Sequence, residues 1–259
     1  MNTYISKGTI AIPGPHDITY AICDITYSLN SDDSFMYVFK PNYTVCDLLS
    51  TSIFQGIPGL NLDLRKEEYT RTILPTFISE RVPSPKREDY QELLRQVNMD
   101  YMDPIEYLIR LHNHGLQYSG DSLFVIPYKE KETVSFDHYN TTKTNQALIK
   151  EILTQLCLGN DIIINGQTIH DDNRKAFHDV FMALYDRCYA HQKETQAKGI
   201  QKAKERGSFK GRKPVQVDYI RFLECQDMIK QHRITARQAA SRLGISIDKY
   251  YRYKKQLQN

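Results

Sequence analysis

The stretch ITARQAASRLGISIDKYYRYKKQ, Ile234–Gln256, decides how the end of this chain folds. Thr235, followed three residues on by Gln238, is a capping box, so a helix begins there. Ala239 and Ala240 are small enough for another helix to cross closely, Gly244 supplies a tight turn, and Ser246 can cap the helix that follows. Alanine, then glycine four positions later, then isoleucine is what two helices crossing in a helix-turn-helix require. Spacing on the last helix turns Ile247, Tyr250 and Tyr253 inward. It leaves Asp248, Lys249, Tyr251, Arg252 and Lys255 outward, and with Ser246 these are the residues expected to meet DNA.

Working towards the N-terminus, VDYIRFLECQDMIKQHR (Val217–Arg233) reads as an amphipathic helix with Ile220, Leu223, Met228 and Ile229 inward. Before it stands the strap GSFKGRKP, Gly207–Pro214, in which five of eight residues are glycine or basic. The charge of the chain is segregated in the same sense. From His191 to Asn259 there are 17 Lys and Arg against 6 Asp and Glu, whereas the remainder holds 17 against 25. An acidic body thus carries a basic tail, and such asymmetry points the tail at a polyanion, with double-stranded DNA the leading partner.

Upstream of the strap, residues 171–206 show a long helical pattern. Phe177, Val180, Phe181, Leu184 and Cys188 recur every three or four positions, and Ala197, Ile200 and Ala203 extend the stripe. Such a helix would be on the order of 50 Å long, too long for one small domain to bury. It is expected to act as a spacer and as the dimerisation surface of a homodimer, the plainer alternative being a surface helix that frays.

From about Asp171 onward the chain resembles the end of small serine recombinases of the resolvase and invertase type. The matching residues are Ala197-Lys198-Gly199-Ile200, Ala203-Lys204, Gly207, Gly211-Arg212-Lys213-Pro214, Ala240, Leu243-Gly244-Ile245-Ser246 and Tyr251-Arg252-Tyr253. The resemblance implies a strap that lies in the minor groove through Gly211, Arg212 and Lys213. It does not extend to catalysis. The family's serine stands in a Tyr-x-Arg-x-Ser setting among arginines, but here Tyr4 is followed by Ile5-Ser6-Lys7 and the first arginine of the chain is Arg65. No catalytic residue is assigned.

The other end is built differently. TIAI, ITYAICDITYSL and SFMYVF are β-prone runs separated by Pro13-Gly14-Pro15 and by Asn30-Ser31-Asp32-Asp33, so the chain opens with a small antiparallel sheet. Leu60–Leu64 reads as one more extended segment. Helices then follow in TILPTFISERV, through Ile73, Leu74, Phe77 and Ile78, in DYQELLRQV, through Leu93, Leu94 and Val97, and in DPIEYLIRLHNHG, with Asp103 as cap and Pro104 at the first helical position. YSGDSLFVIPY returns as a turn and a strand. In its order of features this half resembles the N-terminal subdomain of HipA-type toxin kinases, which also occurs as a free-standing small protein in three-component toxin–antitoxin systems. The matching stretches are SFMYVFKPNY, GIPGLNLDLRKEEYTRTILPTFISERVPSP, REDYQELLRQV, DPIEYLIRL and YSGDSLFVIP. The kinase body of those toxins, with its phosphate loop and catalytic aspartate, has no counterpart here. The resemblance therefore implies binding of a partner, a HipA-type kinase, without phosphoryl transfer.

Between the two ends, a polar link KEKETVSFDHYNTT leads into a helix over Lys143–Leu158, marked by Ala147, Leu148, Ile152, Leu153 and Leu156, and then a short strand IIIN. The expected organisation is an α+β module over 1–129, a connecting helix and strand over 130–170, a long linker helix over 171–206, and a basic strap with an all-α, three-helix helix-turn-helix domain over 207–259. Cys23, Cys46, Cys157, Cys188 and Cys225 are scattered without a CxxC pair, and His112-Asn113-His114 before Gly115 suits a helix end, so neither a metal nor a cofactor is expected. No apolar run approaches the roughly 18 residues that span a bilayer, which places the chain in the cytoplasm, on the nucleoid when DNA-bound. The function these readings converge on is a sequence-specific, antitoxin-like transcription regulator. The alternatives are a divergent or inactive serine recombinase and a DNA-architectural accessory factor.

Overall fold

The computed structural model describes residues 3–116, 119–136, 144–207 and 217–256. By their contacts the residues fall into two compact units, 1–193 and 194–259. The sections read from sequence as 1–129 and 130–170 both lie in the first.

That unit is α+β. Its main sheet is antiparallel, in the order β4-β3-β2-β1-β5, formed by β1 (Tyr4–Pro13), β2 (Thr19–Leu29), β3 (Phe35–Pro41), β4 (Tyr69–Arg71) and β5 (Phe124–Pro127). β1 runs against β2 from Tyr4 opposite Leu29 to Pro13 opposite Thr19, with one irregularity at Ile10/Ala11. The hairpin from β2 to β3 closes as its residues require. Asp33 sits at positive φ with its N–H on the Asn30 carbonyl, and the Asp32 carboxylate accepts from both the N–H and the hydroxyl of Ser34.

Helices α1 (Tyr43–Cys46), α2 (Thr76–Ser79), α3 (Tyr90–Gln96) and α4 (Pro104–Asn113) are inserted between strands. α4 is the main one. Asp103 caps it by accepting from the N–H of Glu106, and its Ile105, Tyr107, Leu108, Ile109 and Leu111 are buried. It can lie close to the sheet because β1 has a glycine beneath it: a Cβ on Gly8 would stand 2.7 Å from Val125 and 2.8 Å from Ile105.

A second, three-stranded sheet combines β6 (Thr133–Ser135), parallel to β7 (Asp161–Ile164), with β8 (Gln167–Ile169), which returns antiparallel through Asn165-Gly166. α5 (Asn145–Cys157), capped by Thr144, shares a core with it through Ile152 and Leu156, joined by Phe136, Ile162 and Ile169. Then comes α6, Arg174–Glu205. Its first turns are held to the first unit by a hydrogen bond between Tyr20 and His178, both buried, at 3.0 Å, and by His16 bonded to Asp186 at 2.6 Å.

Three expectations need correction. Leu62–Leu64 is a 3-10 turn, not a strand, because the Asn61 side chain accepts from the Asp63 N–H and curls the chain. The helix read over TILPTFISERV shrinks to α2: Pro75 precedes it in an extended conformation, which puts Ile73 and Leu74 before the helix and on the surface while Phe77 and Ile78 are buried. The polar link contains a strand, β6, whose Val134 packs on the second core.

The second unit has three helices after the end of α6: α7 (Tyr219–Lys230), α8 (Ala236–Arg242) and α9 (Ile247–Gln256). They share one core of Phe222, Cys225, Ala239, Ala240 and Tyr250. Among the described residues no helix is long and apolar enough to cross a membrane.

Candidate nucleic-acid interface

Each helix of the second unit starts where its sequence provides a cap. Asp218 accepts from the N–H groups of Ile220 and Arg221 at the head of α7, and at α8 the Thr235 and Gln238 side chains bond reciprocally to each other's backbone. α8 stops at Gly244, whose φ of +64° is a left-handed conformation that a side chain would strain. There the N–H of Ile245 reaches back to the Ala240 carbonyl at 3.0 Å and that of Gly244 to Ser241 at 3.1 Å, which closes the helix in a Schellman motif. The hydroxyl of Ser246 then accepts from the Lys249 N–H at 3.3 Å and starts α9.

Tyr250 fixes the rotation of α9. It is buried, its ring lies 5.3 Å from that of Phe222, and its hydroxyl takes a hydrogen bond from Gln226. Tyr253 packs edge-on against the same Phe222 ring. With those two residues inward, Ser246, Asp248, Tyr251, Arg252 and Lys255 are exposed together, as the spacing predicts; Lys249 is half-buried.

Ile247 does not join the core. It is exposed, because the first turn of α9 lies at the rim of a core already filled by the Tyr250 and Phe222 rings. The same rings rotate α7 away from its expected face. Phe222 and Cys225 are buried with Ile229 half-buried behind them, whereas Ile220 and Leu223 face solvent.

Charge on the unit is unevenly compensated. On α7, Arg221 pairs with Asp218 and Lys230 with Asp227, all exposed, so these pairs add little to stability. α8 and α9 carry a single carboxylate, Asp248. Arg237, Arg242, Arg252, Lys254 and Lys255 have no carboxylate within ion-pair distance among the described residues. Arg237 and Arg242 are not among the DNA contacts expected from sequence; their signal is the two arginines without a carboxylate in TARQAASR. The strap residues Gly211, Arg212 and Lys213 lie outside the described residues.

The α6 stripe that was expected to mediate dimerisation divides. The helix turns Arg174, His178 and Tyr185 to the first unit as buried residues, with Phe177 and Phe181 packed against its cores. Val180 is 56% and Leu184 43% exposed, on the other side, and Cys188 is half-buried. The five residues are therefore not one surface: Phe177 and Phe181 are already used. Ser6, at the position of interest for a recombinase, donates its hydroxyl to Asp103 at 3.0 Å. No family model, curated protein or solved structure matches this chain.

Proposed function

We propose that residues 207–259 form a helix-turn-helix domain that binds duplex DNA, and that the chain is a sequence-specific regulator of the antitoxin kind whose N-terminal module engages a HipA-type kinase. One observation carries the reading: α9 is pinned by Tyr250 so that Arg252, Lys255, Tyr251 and Asp248 are exposed together, on a pair of helices with one carboxylate in all. In this reading Arg252, with Asp248 beside it one helical turn earlier, reads base edges, Lys249, Tyr251 and Lys255 mostly hold phosphates, and Gly211, Arg212 and Lys213 follow the minor groove.

The test is binding of the whole chain to duplex DNA across a salt series. Affinity should fall steeply with salt, since each neutralised phosphate releases counterions. Arg252→Ala should cost about 1–3 kcal/mol at the preferred site and relax selectivity there, while Lys255→Ala weakens all sequences alike. Salt-independent binding, or two variants that behave identically across sites, would sink the reading. Cleavage of DNA that is lost in Ser6→Ala would favour the recombinase alternative instead. The partner assignment is checked separately: a kinase-fold protein encoded beside this one should co-purify with it, and failure of that pair to associate removes the partner but not the DNA.

The same reading includes a homodimer, in which two tails reach two half-sites. Val180 and Leu184, four residues apart on the exposed side of α6, are its nucleus. Val180→Asp with Leu184→Asp should abolish the dimer and two-site binding together without unfolding the chain, because both side chains are already in water. Sedimentation of the unaltered protein as a monomer at micromolar concentration, with and without a two-site DNA, would refute it.

A further inference from the structure

Among the described residues, a cavity of about 400 Å³ opens between the end of α4, the start of β5 and the turn that joins β1 to β2. That is the size of a small-molecule site, about 300–1,000 Å³, and far above the water-sized voids of a packed interior. Its floor is apolar: Leu108 and Leu111 of α4 with Leu123 and Val125, all buried. One wall is aromatic. His112 lies flat on Phe124, with ring centroids 4.0 Å apart and planes 10° from parallel. At the mouth stands Leu116, 36% exposed. The backbone holds it there, since its N–H reaches the Leu111 carbonyl at 3.0 Å and that of Gly115, at a φ of +68°, reaches the His112 carbonyl at 2.9 Å, a Schellman closure of α4.

The charge in the cavity is a balanced pair. Arg81, only 5% exposed, lines it and donates through Nη2 to the Asp121 carboxylate and through Nη1 to the Phe77 carbonyl at 2.9 Å, with Glu80 3.4 Å from Nη1. Its Nε, withdrawn from water, completes no hydrogen bond among the described residues. Burial opposes the charge on Asp121, but the bonds from Arg81, the Leu123 N–H and Ser119 outweigh it and hold the carboxylate below its ordinary value. The guanidinium charge is therefore already met. His112 adds none at neutral pH, because burial pushes its pKa below the ordinary imidazole value. The other polar side chains are the hydroxyls of Thr19, Ser119 and Ser122, and Asp17 on the surface.

We propose that this cavity binds an uncharged aromatic molecule that carries a carbonyl oxygen, of the class of an aromatic amide. The apolar floor takes the ring, which packs on the His112–Phe124 pair in the offset or edge-on contacts that aromatic rings prefer. The carbonyl seats at the Arg81 guanidinium and supplies the acceptor that Nε lacks, and a bond from a charged donor is stronger than one between neutral groups. A carboxylate in its place would stand beside Asp121 with no unbalanced cation to meet it. An ammonium would bring a second cation to Arg81. The site belongs to the first unit and stands or falls independently of the DNA reading.

The test is an NMR titration of the whole chain, at constant ionic strength, with benzamide, toluene, benzoate and benzylammonium, read at the His112 ring and at the methyl groups of Leu111 and Leu116. Saturable shifts at these residues are expected with benzamide. Toluene, which has the ring without the carbonyl, should bind about fivefold or more weakly than benzamide, and each ion should also bind more weakly than benzamide. His112→Ala removes half of the aromatic wall and Leu116→Ala opens the mouth, so each should weaken benzamide about three- to tenfold. Both side chains are on the surface, and the variants should melt like the unaltered chain. Absence of saturable shifts at His112 and Leu116, tighter binding of toluene, benzoate or benzylammonium than of benzamide, or equal benzamide affinity in the unaltered chain and both variants overturns the proposal.

Discussion

Replacing Arg174 with methionine is expected to cost the first unit about 3–5 kcal/mol, because it removes one shared donor from several acceptors at once. Arg174 is fully buried at the start of α6. Its guanidinium donates to the carbonyls of Leu156 at 3.0 Å, Asn160 at 2.9 Å and Gly159 at 3.3 Å, and to the Asp171 carboxylate at 2.9 Å. One side chain thus satisfies the end of α5 and the residues before α6 together. Methionine keeps the volume and removes every donor. Lysine keeps the charge but cannot fork to three carbonyls, so Arg174→Lys should fall between. The measurement is urea unfolding of the first unit, and a loss under about 1 kcal/mol would show that water or a shifted chain takes over the acceptors.

The pH dependence has a definite sign. Burial raises the Asp171 pKa, but the bonds from Arg174 and Lys131 outweigh it and hold the group below its ordinary value. A depressed carboxylate stabilises the fold above its unfolded pKa, and that contribution disappears as pH falls through the folded value. Arg174→Met should accordingly lose part of this acid-side dependence along with its stability.

The second large effect is expected at Tyr250. Tyr250→Ala removes a ring from the centre of the three-helix core, at about 3–5 kcal/mol for an aromatic truncated to alanine. A core this small rarely supplies more than about 3–5 kcal/mol, so the second unit should be unfolded at room temperature. Binding to duplex DNA should disappear with it. The first unit has its own cores and should melt unchanged, giving one transition where the unaltered chain gives two. Retained DNA binding would place the interface elsewhere; a first unit that melts early would mean that the two units fold cooperatively.

Much of the architecture is legible in local chemistry. Asp103-Pro104 and Thr235-x-x-Gln238 announce helix starts because a short polar side chain can satisfy orphan backbone donors next to it, whereas the helices expected from Lys143 and Val217 begin later, after the caps Thr144 and Asp218. Asn165-Gly166 after an isoleucine run is the chemistry of a two-residue hairpin turn, and β8 follows it. β6 had no such signal. Three residues in a polar link become a strand only because β7 offers them a ladder.

By itself, the sequence determined the segregation of charge, the helix caps, the Gly244 turn and the outward position of Asp248, Tyr251, Arg252 and Lys255, all of which depend on neighbours within a few positions along the chain. Only the tertiary structure decided which apolar residues are buried. Ile73, Leu74, Ile220, Leu223 and Ile247 have the same hydrophobicity as the core residues beside them, yet they face solvent. Val180 and Leu184 are in the same position, while Arg174 and His178 on the same helix are interior. A helix can bury only the side that another element covers, and where that element lies is set by distant contacts: Phe222 with Tyr250, Tyr20 with His178, Arg174 with the end of α5.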